Sequence, residues 1–495
     1  MKNKFYITTA ILYTNGPPHI GFAFELVLTD VLARYHRLLG DDTYFLTGTD
    51  EHGSTVVKGA AKTGKSVEDF VDEMAGKTMD LTKALNISNN DFIRTSDKVR
   101  HWPAVQKFWN LIKDDLYKNN YEGLYCVGHE AFMKKSDLVD GVCPLHKTEP
   151  EKVKEENWFF KLTKYKKEVK KRIENGEMKI VPETRKQEIL NLIDDAEDVS
   201  FSRPSKDLKW GIPVPGDETQ TIYVWADALT NYISALGYGC NEEKMDYWPA
   251  DVHLVGKDIL RFHAMIWPAM ILSAGLPLPK AICVHGFITV DGEKMSKTIG
   301  NVVDPFDAVQ KYGSEVVRYF LLREIPSTED GDFSYKKLEE RYNGDLANGL
   351  GNLVQRVATL IENGLDGELI YKSGKLSSVR GIDILGFGKS FEQALDGFEL
   401  HKAIELIWSI IAKANQYVDE RKPWVEAKEN PEGFLETMTT LVSMIHYIAW
   451  HLQPFMPETA EKITKIFGDD LSNKEIPENY KFIINKSEAL FPRIK

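Results

Sequence analysis

Two short stretches of this chain carry residues suited to handling phosphate. The first is Pro18-His19-Ile20-Gly21-Phe22. It stands where a strand-like run, Lys4 to Ala10, gives way to a helical pattern from Ile20 to Leu39. A helix start presents unpaired N–H groups and the positive end of its dipole, both of which attract anions. His19 can donate a hydrogen bond to a phosphate oxygen, and Gly21 permits close approach by a nucleotide. By itself the pattern is open, since a polar residue before a helix also serves as a cap. The second stretch is Lys294-Met295-Ser296-Lys297-Thr298, after a hairpin-like run from Ile288 to Glu293 with an Asp291-Gly292 turn. Two lysines three apart meet a triphosphate as point charges. A solvated basic loop is the alternative reading.

The elements that must position these residues follow a parallel, doubly wound pattern. After the strand Lys4 to Ala10 comes a loop, Leu12 to Pro18, and then the helix, with Leu28, Val31, Leu32, Tyr35 and Leu39 at helical spacing and Gly40 to end it. Thr43 to Gly48 reads as the next strand, with Asp50 at its carboxyl end, where such folds bind ligands. Composition changes after about Leu116. Tyr121 to Glu156 has short strand-like pieces, and Lys161 to Arg172 is a lysine-rich helical run, so an insertion is predicted here. Parallel-sheet patterning resumes at Ile222 to Trp225 and Val252 to Val255, followed by a helix from about Ile259 and a strand at Ala281 to Val284. From about Lys336 the pattern is wholly helical, with a stripe of Leu346, Leu350, Leu353, Val354 and Val357. Further helical runs are Ala403 to Val418, Phe434 to Leu452 and Ala460 to Phe467. The predicted fold is an α/β, Rossmann-like catalytic domain with an inserted connective domain, followed by an all-α bundle. The predicted boundaries are 1–116 and 222–290 for the two catalytic halves and 117–221 for the insertion. The lysine loop and a stem-contact region take 291–340, and the helical domain 341–495.

Composition narrows the class. A chain of 495 residues with 43% hydrophobic content predicts about two to four domains. A net charge of -12 argues against a generic nucleic-acid coat but allows a local basic stripe. Four cysteines form no disulfide framework at this size, which suits a reducing cytosol. The apolar stretch Ala264 to Leu278 is broken by Pro268 and Pro277, so no membrane span is expected.

Order, separation and sheet context make the two phosphate stretches resemble the HIGH and KMSKS signatures of class I aminoacyl-tRNA synthetases. The resemblance covers essentially the whole chain and points to the methionine-specific branch. Its carriers are Thr47-Gly48-Thr49-Asp50-Glu51-His52-Gly53, Tyr223-Val224-Trp225-Ala226-Asp227-Ala228, and Val255-Gly256-Lys257-Asp258 with Phe262-His263. It implies ATP-dependent activation of methionine to methionyl-adenylate and transfer to the 3′ end of initiator and elongator tRNA-Met. His19, Gly21, Lys294 and Lys297 would serve catalysis. ATP, with Mg2+, would be bound by these together with Gly256, Asp258 and Ser296. The methionine site would comprise Ala10, Ile11, Tyr13, Trp225, Ala228, Tyr232, Ile259 and His263, with Asp50 on the ammonium and Arg203 across the site. A thioether favours such aromatic edges and apolar walls. Asn352, Arg356 and Trp424 match positions that read the CAU anticodon, by hydrogen bonding and stacking. Cys126, His129, Cys143 and His146 resemble a zinc knuckle, with histidines where the family usually has two further cysteines; both residue types are competent Zn2+ ligands.

One departure stands out. The first signature normally ends in histidine, and here the position is Phe22. Loss of one preorganised donor costs about 3–4 kcal/mol in barrier unless another group substitutes, so His19 and Lys297 are expected to carry the load. A catalytically weakened tRNA-binding paralogue and a small-molecule nucleotidylyltransferase are the rival readings. The stretch 117–221 is too short for the editing insertion of the isoleucine, leucine and valine enzymes. With no appended segment after the bundle, a cytoplasmic monomer is expected.

Overall fold

A computed structural model describes residues 2–126, 131–133, 135–144, 147–295, 301–371, 384–471, 474–485 and 488–494. The chain divides into two compact units, one of residues 1–29 and 39–285, the other of residues 30–38 and 286–495.

The first unit is built on a parallel sheet of seven strands. They are β1 (Lys4–Thr9), β2 (Leu12–Tyr13), β3 (Asp42–Asp50), β4 (Asp91–Arg94), β5 (Lys179–Val181), β6 (Val252–Gly256) and β7 (Ala281–His285). The order across the sheet is β4, β3, β1, β6, β7, β5, and β2 continues β1 along the same side of β3. Every residue of β1 after Lys4, and of β3 after Asp42, is buried. Both faces are covered, which is why these strands read as near-continuous runs and not as alternation. Helix α1 (Ile20–Leu38) crosses over from β1 to β3. Chain order reverses between β1 and β6, so the crevice beyond their carboxyl ends is a topological switch point, the usual place for a ligand.

Two expectations change. β5 joins the main sheet beside β7, although patterning placed it within the insertion. Three residues are too few to show a period. Ile222 to Trp225 is not a parallel strand: Asp217–Ile222 is the middle of a three-stranded antiparallel sheet, and Val224–Ala228 is a helix. A short buried apolar run cannot be assigned by periodicity alone. The inserted region carries a separate antiparallel sheet whose long pair is Leu116–Cys126 with Glu151–Phe160. Beyond β6 the chain makes a turn at Lys257–Ile259, a π-helical turn at Phe262–Ile266, and helix Trp267–Ser273.

In the second unit the hairpin Ile288–Val290 with Glu293–Lys294 turns at Asp291 and Gly292, with φ of 49° and 81°. Two positive φ values are what the two-residue turn of such a hairpin demands. The anticipated stripe is buried along Tyr342–Gly351 and Asn352–Gly364. Long helices Leu400–Arg421 and Pro431–Leu452 follow. The region is not wholly helical, because Glu368–Ile370 pairs with Lys481–Ile483. Among the described residues no helix is long and apolar enough to cross a membrane.

Candidate active site

His19 closes the start of α1. Its carbonyl accepts from the Phe22 and Ala23 N–H groups at 3.0 and 3.1 Å, and its Nδ1 accepts from the Gly21 N–H at 3.1 Å. With Nδ1 accepting, the proton of the neutral ring sits on Nε2, the donor a phosphate oxygen would accept from. A Cβ on Gly21 would come 3.0 Å from both Cε1 and Nδ1 of this ring. Gly21 therefore makes room for the chain's own His19 first, a closer reason for glycine than nucleotide approach. Phe22 is buried in the core at 5% exposure. Its phenyl ring has no hydrogen-bond donor and cannot serve phosphate.

The end of β1 is fixed from below. The Ala10 N–H donates to Glu25 Oε1 at 2.7 Å and to the Leu254 carbonyl at 3.1 Å. Glu25 is itself buried, and its Oε2 lies 3.0 Å from Nε2 of His285 at the end of β7. Burial raises the Glu25 carboxyl above its ordinary value, against the pull of His285 and the Ala10 N–H. Gly256 ends β6, where a Cβ would stand 2.8 Å from Asp258 Oδ1, and Asp258 is exposed. The backbone of Lys294 lies in the hairpin strand; Ser296 and Lys297 are outside the described residues.

The proposed side-chain pocket residues converge. Ala10 and Tyr232 belong to one apolar cluster, against which Ile11, Tyr13, Trp225 and Ile259 pack. Ala228 is buried in the same helix as Trp225. Trp225 stacks on Phe262 with centroids 3.7 Å apart and planes at 6°, and meets His263 edge-on at 6.3 Å. Phe262 had been read only as part of a motif, and its stacking partner lies 37 residues earlier in the sequence. His263 Nδ1 stands 3.0 Å from the Ile259 carbonyl, so it must donate there. Nε2 then accepts from the Tyr232 hydroxyl at 2.7 Å. Burial pulls the His263 imidazole down to about 4 and pushes the Tyr232 phenol up. Near neutral pH this pair is uncharged, with the His263 ring proton and the Tyr232 hydroxyl proton committed to internal partners. At the rim, Tyr13 is in register with Asp50, and its hydroxyl accepts from Thr55 at 2.6 Å. Asp50 is buried at 6% exposure, and its carbonyl accepts from the Thr14 N–H.

A second polar group lies beside this pocket. Asp227, fully buried, takes His52 Nδ1 on one oxygen at 2.6 Å and His101 Nε2 on the other at 2.7 Å. His101 Nδ1 reaches Ser234 Oγ at 2.8 Å. Burial alone would raise Asp227, but the charge and hydrogen bonds of His52 and His101 outweigh it and hold the carboxyl low. His52 is flanked edge-on by Trp102 and Trp210. Both Asp227 and His52 sit in quoted motifs, but nothing in the sequence showed that they meet.

Arg203 lies in the short strand Ser202–Pro204, outside the apolar cluster. Its Nη1 donates to Ser200 Oγ at 2.8 Å and to the Ser202 carbonyl at 2.7 Å. The guanidinium sits between the Tyr125 and Tyr223 rings, 5.1 and 4.6 Å from their centroids. It lines a 950 Å³ cleft that also meets Val224, at the start of the pocket helix.

In the second unit, Asn352 and Arg356 share a face of Asn352–Gly364. Arg356 pairs with Asp419 at 2.8 Å and lies 5.8 Å from the ring centre of Trp424, which is 46% exposed. An exposed indole beside a guanidinium forms a stacking platform for a base.

Of the four possible zinc ligands, His129 and His146 are outside the described residues. The thiols of Cys126 and Cys143 are free of disulfides and buried. The chain turns tightly at Cys143, whose carbonyl accepts from the Lys147 N–H at 2.8 Å. Buried thiols at a tight turn suit a structural Zn2+, though among the described residues no three ligating side chains form a metal group.

Two family models match the chain. One, tRNA synthetases class I (M), matches residues 5–150 and 133–358; the other, the anticodon binding domain of methionyl tRNA ligase, matches residues 383–489. The chain belongs to the class I tRNA synthetases of the methionine type. It is 40% identical to the methionine–tRNA ligase of Thermotoga maritima, over 99% of this chain and 80% of that protein. It is 42% identical to that of Brucella suis biovar 1, over 94% of this chain and 92% of that protein. A solved structure of Mycobacterium tuberculosis methionyl-tRNA synthetase in complex with methionyl-adenylate matches with a TM-score of 0.93 at 36% identity, covering 100% of both chains.

Proposed function

We propose that this chain is a methionine–tRNA ligase working in two steps. The methionine carboxylate attacks the α-phosphate of ATP, taken as its magnesium complex, forming methionyl-adenylate and releasing pyrophosphate. The 2′-hydroxyl of the terminal adenosine of tRNA-Met then attacks the activated carbonyl and AMP departs. The chemistry asks mainly for positioning and charge stabilisation.

The observation that carries this reading is the convergence of Ala10, Trp225, Tyr232, Ile259 and His263 near the carboxyl ends of β1 and β6. Trp225, Tyr232 and His263 form an uncharged wall in which the His263 ring proton and the Tyr232 hydroxyl proton are already engaged. Such a wall accepts a polarizable thioether and penalises a charged side chain, which would lose its hydration unpaired. Asp50 at the rim supplies the carboxylate for the substrate ammonium, and Arg203 counters negative charge on the facing side. His19 holds a phosphate through Nε2, and Gly21 keeps its ring in place. Gly256 and Asp258 take the nucleoside. Lys294, Ser296 and Lys297 attend the departing pyrophosphate.

Asn352, Arg356 and Trp424 would read the CAU anticodon, shared by initiator and elongator tRNA-Met, so both are charged. Cys126, His129, Cys143 and His146 would hold one Zn2+ that stiffens the insertion and takes no part in the reaction. The enzyme would act as a monomer in the cytosol. ATP–pyrophosphate exchange tests the reading. It should depend on methionine and run far more slowly with leucine, isoleucine or valine. No exchange, or equal exchange with leucine, overturns it.

A further inference from the structure

The two polypeptide segments that must face one another across the methionine site are not joined by the sheet. Glu51-His52-Gly53 leaves the sheet after Asp50, and the helix Val224–Ala228 lies outside it. What links them is Asp227, through its 2.6 Å hydrogen bond to His52 across 175 positions of sequence. On one side of this bond, Asp50 is two residues from His52. On the other, Trp225 is two residues from Asp227, and Ala228 is its neighbour.

The bond is also the main polar hold on His52. The ring's other nitrogen, Nε2, is buried and has no hydrogen-bond partner among the described residues. The imidazole also packs at a steep angle against Trp102 and Trp210. The second oxygen of Asp227 is taken by His101, which is braced in turn by Ser234. Asp227 is therefore anchored on one side and reaches out with the other. A fully buried carboxylate is a poor device for stability alone, since well-packed apolar residues often do as well or better. Fixing two segments at one separation is a task for which a short, directional, charge-assisted bond is suited.

We infer that Asp227, acting through His52, is a positioning residue for the amino-acid site, setting the distance between Asp50 and the Trp225–Ala228 wall. This rests on the methionine-site reading above. Because Asp227 touches neither ATP nor the reacting carboxylate in that reading, its loss acts on amino-acid binding rather than on the chemical step.

The test is steady-state ATP–pyrophosphate exchange on the full chain, with active sites titrated, for wild type, Asp227→Asn, His52→Ala and His52→Asn. Asparagine at 52 keeps an N–H donor near the position of Nδ1; alanine does not. Expected for Asp227→Asn and His52→Ala is a KM for methionine raised by about tenfold or more, the scale of one charge-assisted hydrogen bond. KM for ATP and kcat per active site stay within about twofold, and His52→Asn recovers most of the methionine affinity. A merely structural role lowers the melting temperature and the active fraction but leaves KM for methionine unchanged in the surviving molecules, and that result overturns the inference. If Asp227→Asn does not fold, the His52 pair decides the matter alone. If wild type shows no methionine-dependent exchange, the underlying functional reading has failed instead.

Discussion

Replacing Gly21 by alanine separates folding from catalysis at the first signature. Gly21 is the second residue of α1, and its backbone conformation is one any L-residue can adopt. Helix propensity therefore favours the substitution by up to about 1 kcal/mol. The new methyl, however, lies 3.0 Å from both Cε1 and Nδ1 of His19. The ring is exposed, so it yields by turning, and the 3.1 Å bond from the Gly21 N–H to Nδ1 is lost with the turn. Nε2 then no longer points where the phosphate is expected. Complete loss of one preorganised donor costs roughly 10²–10³ in rate. Displacement of a ring that remains present costs less, so a fall in kcat of about 10- to 300-fold is expected within that limit. The assay is ATP–pyrophosphate exchange at saturating methionine and ATP, alongside thermal melting. Gly21→Ala should lose kcat, keep its KM for methionine, and melt no lower than wild type. In the background of His19→Ala the same change should cost nothing further, since the two act through one ring. Wild-type turnover in Gly21→Ala, or an equal loss when His19 is already absent, would refute the reasoning.

Other consequences follow from the same geometry. His263 is pulled down to about 4, against about 6.5 in an unfolded chain, so between these values the unfolded state binds a proton the folded state refuses. Stability present above pH about 6.5 is lost as pH falls toward 4, by about 1.4 kcal/mol per pH unit for this group, and His263→Asn should flatten the dependence by that slope. Chemical denaturation from pH 7 to 5 measures it, and equal slopes contradict it. Arg356→Ala and Trp424→Ala should leave exchange intact while lowering kcat/KM for tRNA charging by about 5- to 150-fold, the scale of one lost base stack. An effect on exchange as large as that on charging would count against anticodon reading. If Zn2+ sits in the knuckle, a strong chelator should lower the melting temperature, and purified protein should carry about one equivalent; less than about a tenth ends that proposal.

The opening of the fold was legible because each element carries a complete pattern. β1 and β3 are buried on both faces, α1 buries Leu28, Val31, Leu32 and Tyr35 although Leu39 lies past its end and is exposed, and Gly40 follows where the helix stops. β5 was not legible, because Lys179–Val181 is fixed by pairing with β7 and by no period of its own. Ile222 to Trp225 misled for a related reason: four apolar residues in a row look alike in a strand and in the first turn of a helix. At the site, Trp225, Tyr232 and His263 were found through motif resemblance, which places residues but not their hydrogen bonds. That His263 is neutral follows from its burial, and its tautomer from the Ile259 carbonyl and the Tyr232 hydroxyl on its two nitrogens. The union of His52, His101 and Asp227 is a fact of tertiary structure, made by segments far apart in sequence. Phe22 was visible as a departure, while its burial was not.

The central claim is tested most directly by aminoacylation with the purified chain. Radiolabelled methionine, ATP and Mg2+ are supplied with a single tRNA transcript bearing a CAU anticodon, and acid-precipitable label is followed to a plateau. The account predicts a plateau near one methionine per tRNA, abolished when the anticodon is changed and not reached with leucine or isoleucine. No charging of the CAU transcript by a chain that binds it, or charging that ignores the anticodon and the amino acid, would contradict it.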